Sequence, residues 1–239
     1  MRDYIRALHE RIDVDSHPYF EALRDGSFSR DDFVETQVQF FFAVTFFCRP
    51  MTVLAGRLPV AEWRLRLLEN VGDEHGNGDL SRAHENTFLT LLDRLGVPRE
   101  EVEARALWPE VRAFNTCLAG VCQQDDLYTA LGTLGIIEDL FSGISARHSK
   151  WIVERGFLQA DQMIHYDLHA ELDEDHAEDF YGILDRPYAE NPRHAYQVQQ
   201  GLELGAYIFL RLYRDLYEAR GRRVRREVRG AHTSAGGWG

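Results

Sequence analysis

An all-α bundle is the fold the sequence predicts, on two observations. Apolar residues recur every three or four positions along nearly the whole chain, the spacing that lines them up on one side of a helix. No stretch alternates apolar and polar residues between hairpin turns, so no sheet is expected. With 239 residues, 44% hydrophobic and 28% charged, the chain suits one well-packed domain, placed at residues 1–219.

The elements follow in order. Ile5, Leu8 and Ile12 set a first helix over 2–13, and a short turn through His17, Pro18, Tyr19 and Phe20 ends near Gly26. Ser29 is placed to cap a long helix from Arg30 to Leu54, just short of Gly56. Its middle, Q-F-F-F-A-V-T-F-F, is apolar nearly all round, which predicts a central, buried helix. Pro50 is expected to kink it or end it early. Pro59 opens a helix to Glu74 with Leu65, Leu67, Leu68 and Val71 turned inward. After a Gly-Asn-Gly break, Asp79 or Ser81 caps a helix to Leu95, closed by Gly96. Shorter helices are expected at 98–104 and 108–123, and a long one, capped by Asp125 or Asp126, at 127–155. A helical segment over 158–185 is broken by Pro187, and Asn191-Pro192 starts a last helix to Ala219. From Arg220 the chain is basic and then glycine-rich, so 220–239 reads as a disordered tail.

Charge and cysteine use narrow the function. A net charge of -12 argues against nucleic acid as a partner, because neutralising phosphates needs a basic face. Cys48, Cys117 and Cys122 form no ligand-spaced pair, and with no signal-peptide pattern they are expected as reduced thiols in a cytoplasm. The longest uncharged run, Thr36 to Cys48, is too short to span a bilayer, so no membrane is expected.

The stretch L-H-A-E-L-D-E-D-H-A-E-D-F carries the chemistry. His169, Asp173 and His176 lie at offsets of four and seven, which return to within roughly 40° of one direction on a helix. Imidazoles and a carboxylate on one stripe suit iron, manganese or zinc. Read alone, the stripe is equally a solvated acidic helix with incidental histidines. Three more polar residues fall on apolar faces. Glu138 shares its face with Leu131, Leu134 and Phe141, His84 with Leu80, Phe88 and Leu91, and Glu74 with Leu67 and Val71. A carboxylate in such company costs several kcal/mol unless paired, protonated or metal-bound. Three carboxylates and three imidazoles exceed the needs of one zinc and suit a dinuclear iron or manganese site between facing helices.

The order Glu74, ten residues to His84, Glu138, then H-x-x-x-D-x-x-H resembles the heme-oxygenase-like di-iron oxidases and oxygenases, in a superfamily with thiaminase II and the pyrroloquinoline-quinone synthase. The similarity covers about residues 17 to 215, including N-V-G-D-E-H-G, H-E-N-T-F-L-T-L-L-D-R-L-G-V and H-A-E-L-D-E-D-H-A. The resemblance implies a seven-helix heme-oxygenase-like bundle with iron ligands Glu74, His84, Glu138, His169, Asp173 and His176. It implies two Fe, or Mn in place of one, with O2 as co-substrate and a small amino acid, amine or carboxylic acid as substrate. It leaves room for a homodimer and an external electron donor. Glu138 is the candidate catalytic, bridging carboxylate, with Glu74, His84 and His176 grouped on one metal and His169 with Asp173 on the other. His169 and His176 are about 10.5 Å apart along an ideal helix, so one compact cluster calls for a bent or unwound turn. A mobile segment near 161–178 and a weak second metal are therefore expected.

Departures from relatives shape the expectation further. Gly132 stands six residues before Glu138, where thiaminase II has a cysteine. Phe20 and His148 align with the tyrosine and lysine of the para-aminobenzoate-forming members, with Tyr19 and Lys150 beside them. No carboxylate lies from Val44 to Met51, where some N-oxygenating members add one, which tilts the expected outcome toward oxidative cleavage or desaturation. N-oxygenation of an amine is the alternative outcome, and a metal-free helical binding or regulatory protein the rival of another class. Phe40, Phe41, Phe42, Phe46, Phe47 and Met51 are placed to wall a dry pocket beside the metals, with Phe41 and Phe42 as the substrate contacts, though such a stripe is more often plain core. Arg49 is placed to clamp a carboxylate, or equally to lie on the surface.

Overall fold

The computed structural model describes residues 1–226, and of 167–175 it describes the backbone alone. The helices are α1 (Arg2–Arg11), α2 (Pro18–Asp25), α3 (Arg30–Arg57), α4 (Ala61–Glu74), α5 (His84–Arg94), α6 (Arg99–Glu103), α7 (Pro109–Gln124), α8 (Leu127–Glu154), α9 (Ile164–Glu190) and α10 (Pro192–Ala219). Among the described residues there is no sheet, only an isolated bridge between Arg105 and Arg225. The fold is all-α, as the apolar spacing predicts.

Helix α8 is the axis. It packs along α9 on one side and α10 on another, while α3 crosses α7, α4 and α5. The α8–α10 approach is close because small residues face each other. A Cβ on Gly201 would meet the Thr129 carbonyl group of α8, with its carbon at 3.0 Å, and one on Gly205 would meet that of Thr133, at 3.1 Å. Thr129 and Thr133 use the closeness, their hydroxyls donating to the carbonyls of Gln197 and Gly201 at 3.2 Å. Helices α3 and α8 are each long and apolar enough to cross a membrane, and the windows that qualify are 56% and 78% buried within the bundle.

Three caps fall where the sequence puts them, but the helix expected to be capped by Asp79 or Ser81 opens only at His84, after Ala83 and without a side-chain cap, while Asp79 caps a short 3-10 turn at Leu80–Arg82. The Ser29 hydroxyl accepts from Asp32 N, Asp126 accepts from Tyr128 N and Thr129 N, and Asn191 accepts from Arg193 N with Pro192 at the first helical position. The prolines do not interrupt as expected. Helix α3 runs through Pro50 to Arg57, not Leu54, and α9 runs through Pro187 to Glu190. Pro50 is itself buried, and Arg57 at the end of α3 donates to the carbonyls of Cys122 and Asp125, so tertiary contacts outweigh one missing backbone donor. On α4 only Leu67 of the expected inward leucines is buried; Leu65 is 60% and Leu68 48% exposed.

The expected disordered tail needs correction over its first residues. Val224 O accepts from Ala106 N, Arg226 N donates to Ala104 O, Arg223 bonds Asp32 and Arg222 bonds Glu110. Arg105 and Arg223 lie 3.1 and 3.7 Å from Glu35, whose carboxylate is almost fully buried. Burial raises the Glu35 carboxyl above its ordinary range and the two guanidinium groups pull it back. The acidic surface those arginines meet is the protein's own. Residues 227–239 lie outside the described residues.

Helix α1 is held on by polar contacts. His9 Nε2 is 2.9 Å from Asp139 Oδ2, which also accepts from the Tyr181 hydroxyl, and Tyr4 and Arg11 both donate to Glu203. The hydrogen bond to Asp139 raises the His9 imidazole above its ordinary value. A raised histidine contributes stability that is fully present below its unfolded pKa of about 6.5 and fades as pH rises through the folded value. His9→Ala is expected to melt below the wild type at mildly acidic pH, the gap narrowing toward pH ~8. Thermal melts across that range check it; a gap independent of pH would contradict it.

Candidate metal centre

The connection from α4 to α5 brings the first two polar residues together. Gly76, Asn77 and Gly78 all have left-handed backbones, with φ of 71°, 53° and 91°. A Cβ on Gly76 would sit 2.7 Å from Ala83 N and 2.9 Å from the Arg82 carbonyl carbon, so only glycine lets the chain double back here. The result is that His84, opening α5, meets Glu74, closing α4, with Nδ1 and Oε1 2.9 Å apart. Glu138 enters from α8 and His176 from α9. Ligand atoms of Glu74, Glu138 and His176 all lie within 4.8 Å of one another. These residues are 7%, 3% and 3% exposed, and His84 2%.

Four of the six expected ligands thus converge from α4, α5, α8 and α9. The side chains of the other two, His169 and Asp173, lie outside the described residues, as do those of 167–175, half of the segment expected to be mobile. The backbone of α9 runs as one helix from Ile164 to Glu190, and the bent or unwound turn expected between His169 and His176 falls on 167–175, whose side chains lie outside the described residues.

Two neighbours escaped the sequence reading. Asp73 Oδ2 is 3.3 Å from His176 Nε2. His165 is fully buried, its ring 6.2 Å from and perpendicular to that of His84, with Nδ1 3.0 Å from the Thr87 hydroxyl. His165 lies four residues before His169 on the same stripe, a spacing that signals it in the sequence. Asp73 falls on a different face from Glu74 and has no such signal.

Beside Glu74 and Glu138 lies a cavity of about 30 Å3 whose walls include Phe40, Phe47, Phe114, Phe141 and Phe209. Of the phenylalanine-rich stretch expected to wall a pocket, Phe40 and Phe47 do face the carboxylates, while Phe41, Phe42, Phe46 and Met51 do not line the cavity. Phe41 packs on Phe88, and Phe42 is half-buried with its carbonyl accepting from Asn115. Arg49 is exposed and does not line the cavity, so it does not serve as the expected clamp. A helix apolar all round gives no phase by which a sequence can choose among its faces.

The surrounding groups are electrostatically quiet. Burial and Glu74 push the Cys48 thiol to about 11, so it stays protonated at neutral pH. His148, stacked on Tyr166 with centroids 4.7 Å apart, is pulled down to about 3 by burial and is neutral. Lys150 is 67% exposed and reaches only Glu154, so no buried lysine stands near Tyr19 or Phe20. The centre is therefore a pair of buried carboxyl groups with imidazoles beside them and phenylalanine walls. Two buried carboxyl groups this close call for a shared proton, an imidazolium or a metal ion, and mixed carboxylate and imidazole donors match a first-row transition metal.

Comparisons with known proteins agree with this. A family described as iron-containing redox enzymes matches residues 34–208. A pyrroloquinoline-quinone synthase from Granulibacter bethesdensis is 26% identical over 150 residues, 58% of this chain and 56% of that protein, so the chain spans little more than half the length of this curated relative. A domain of unknown function with a heme oxygenase-like fold from Shewanella denitrificans superposes with a TM-score of 0.75 at 15% identity, covering 92% of this chain and 91% of that one. A cadd-like protein of unknown function from Nostoc punctiforme gives 0.73 at 14%, covering 92% and 96%. A TenA homologue from P. horikoshii gives 0.72 at 14%, covering 91% and 98%. At these identities the structures show the fold alone, and it is the heme-oxygenase-like bundle.

Proposed function

From the premise that the chain belongs to the iron-containing redox enzyme family, we propose that it is a non-heme di-iron oxidase using O2 to cleave or desaturate a small amino acid, amine or carboxylic acid. The observation that carries this reading is the buried meeting of Glu74, Glu138 and His176 within 4.8 Å, with His84 on Glu74. Glu74, His84, Glu138 and His176 would hold iron, joined by His169 and Asp173 from the same helix as His176. Bound iron would supply the electrons and the Lewis acidity that O2 chemistry requires.

The chain's own residues do the rest. Glu74 and Glu138 provide the negative charge that favours cations at the junction of α4 and α8. His84 Nδ1 and Glu74 Oε1, at 2.9 Å, are close enough to share a proton when no cation occupies the pair. The phenylalanine walls keep bulk water from the carboxylates, so charge there is felt strongly. A cavity of 30 Å3 holds O2 or about two waters, so a substrate's reacting end enters only as side chains such as Phe47 move aside. The apolar walls favour a substrate whose buried portion is hydrocarbon.

The test is anaerobic titration with Fe(II) followed by admission of O2. Two irons per chain and O2 uptake that a small amine or acid accelerates support the reading. A chain that binds no iron, or binds it identically after Glu138→Ala, is instead the metal-free binding or regulatory protein.

A further inference from the structure

We propose that Asp73 is the positioning residue for His176, fixing which ring nitrogen faces the carboxylate pair, and that Asn77 in turn fixes Asp73; the proposal rests on the di-iron reading above. Both Asp73 oxygens are committed. Oδ2 is 3.3 Å from His176 Nε2, and Oδ1 accepts from Asn77 Nδ2 at 2.5 Å. A carboxylate only accepts, so in the neutral ring Nε2 carries the proton and Nδ1 carries the lone pair. A metal-bound histidine is oriented in this way in most sites, its other N–H given to a carboxylate or carbonyl. Asp73 differs from the four buried site residues, for its side chain is 31% exposed.

The hold begins in the left-handed turn that brings Glu74 to His84. Asn77 has φ 53° between two glycines, and asparagine tolerates that backbone better than most residues while offering an amide. One turn back on α4, the fully buried Asn70 donates to the His176 carbonyl at 3.5 Å. Helix α4 therefore grips His176 by backbone and ring while presenting Glu74 to the same centre, so α4 and α9 are set relative to each other by one helix end.

Two measurements test this, the first without metal. In protein labelled with 15N-histidine, long-range 1H–15N spectra read the His176 tautomer, the signal assigned by its loss in His176→Gln. The wild type is expected in the Nε2–H form, and Asp73→Ala and Asn77→Gly are expected to populate the Nδ1–H form. Asn77→Gly keeps the left-handed turn and loses only the amide, so it carries the test where Asp73→Ala does not fold. In anaerobic Fe(II) titration, Asp73→Ala is expected to keep the wild-type number of sites with affinity lowered about 10–100-fold, and Asn77→Gly to fall between the two. An Nδ1–H form in the wild type, or wild-type affinity in both variants, overturns the proposal while leaving the di-iron reading intact. A site lost outright in Asp73→Ala makes Asp73 a ligand and also overturns it. A wild type that binds no iron overturns the di-iron reading, and the proposal with it, whatever the tautomer.

Discussion

Glu138→Gln is expected to raise the melting temperature of the metal-free protein and to abolish its O2 uptake. Glu138 is 3% exposed, set between Leu134 and Phe141, and shares its enclosure with a second carboxylate, Glu74, within 4.8 Å. Each carboxylate pays to leave water, and at this separation each also repels the other. Glutamine has the same shape and removes one charge. Two unit charges at this separation repel by about 3–4 kcal/mol at an effective dielectric of about 20, which bounds the gain from removing one of them. For a chain of this size each kcal/mol moves the midpoint by about 2–4 °C. The same change removes the candidate bridging ligand, so iron that stabilises the wild type should no longer stabilise the variant. Melting curves with and without Fe(II), alongside oxygen-electrode traces, read both halves. A lower apoprotein midpoint, or iron stabilisation equal to that of the wild type, contradicts the site as described.

Gly201→Ala is expected to have the largest effect on stability. Its new methyl group would meet the backbone of Thr129 on α8, with carbonyl carbon and Cα both at 3.0 Å and the oxygen nearer still. Overpacking costs about 1–3 kcal/mol where side chains can shift. Here the obstacle is a helix backbone, which moves only as a rod, so the cost should reach or pass the top of that range. A loss of about 6–12 °C follows for a chain of this length. Because α8 must back away from α10, Glu138 shifts against Glu74 and His176, and iron affinity should fall as well. Gly56→Ala is the control. Gly56 lies within α3 with nothing within 4 Å of its Cβ position, so alanine should stabilise by roughly 0.5–1 kcal/mol. Equal melting behaviour for Gly201→Ala and wild type would mean that α8 and α10 do not approach as closely as the structure has them.

The sequence located Glu74, His84 and Glu138 because each breaks an apolar face that would otherwise be hydrocarbon, and such a break is costly enough to need a reason. His176 was legible through its spacing from His169 and Asp173. Asp73 was not, because it interrupts no apolar pattern. Its role depends on a ring from another helix and on Asn77, reached through a turn whose handedness is a tertiary fact.

What the sequence by itself determined is therefore local: helix type, capping by Ser29, Asp126 and Asn191, and a set of buried polar side chains that need partners. Those features rest on interactions within a few residues, which spacing and residue type express directly. Only the tertiary structure decided which face of α3 walls the cavity, that helices carry on through Pro50 and Pro187, and that Leu65 and Leu68 face outward. It also decided that the arginines after Ala219 are held by Asp32, Glu35 and Glu110. The reason is physical. A helix that is apolar on most sides, or a lone proline or arginine, has several local states of similar free energy, and contacts from distant parts of the chain select among them.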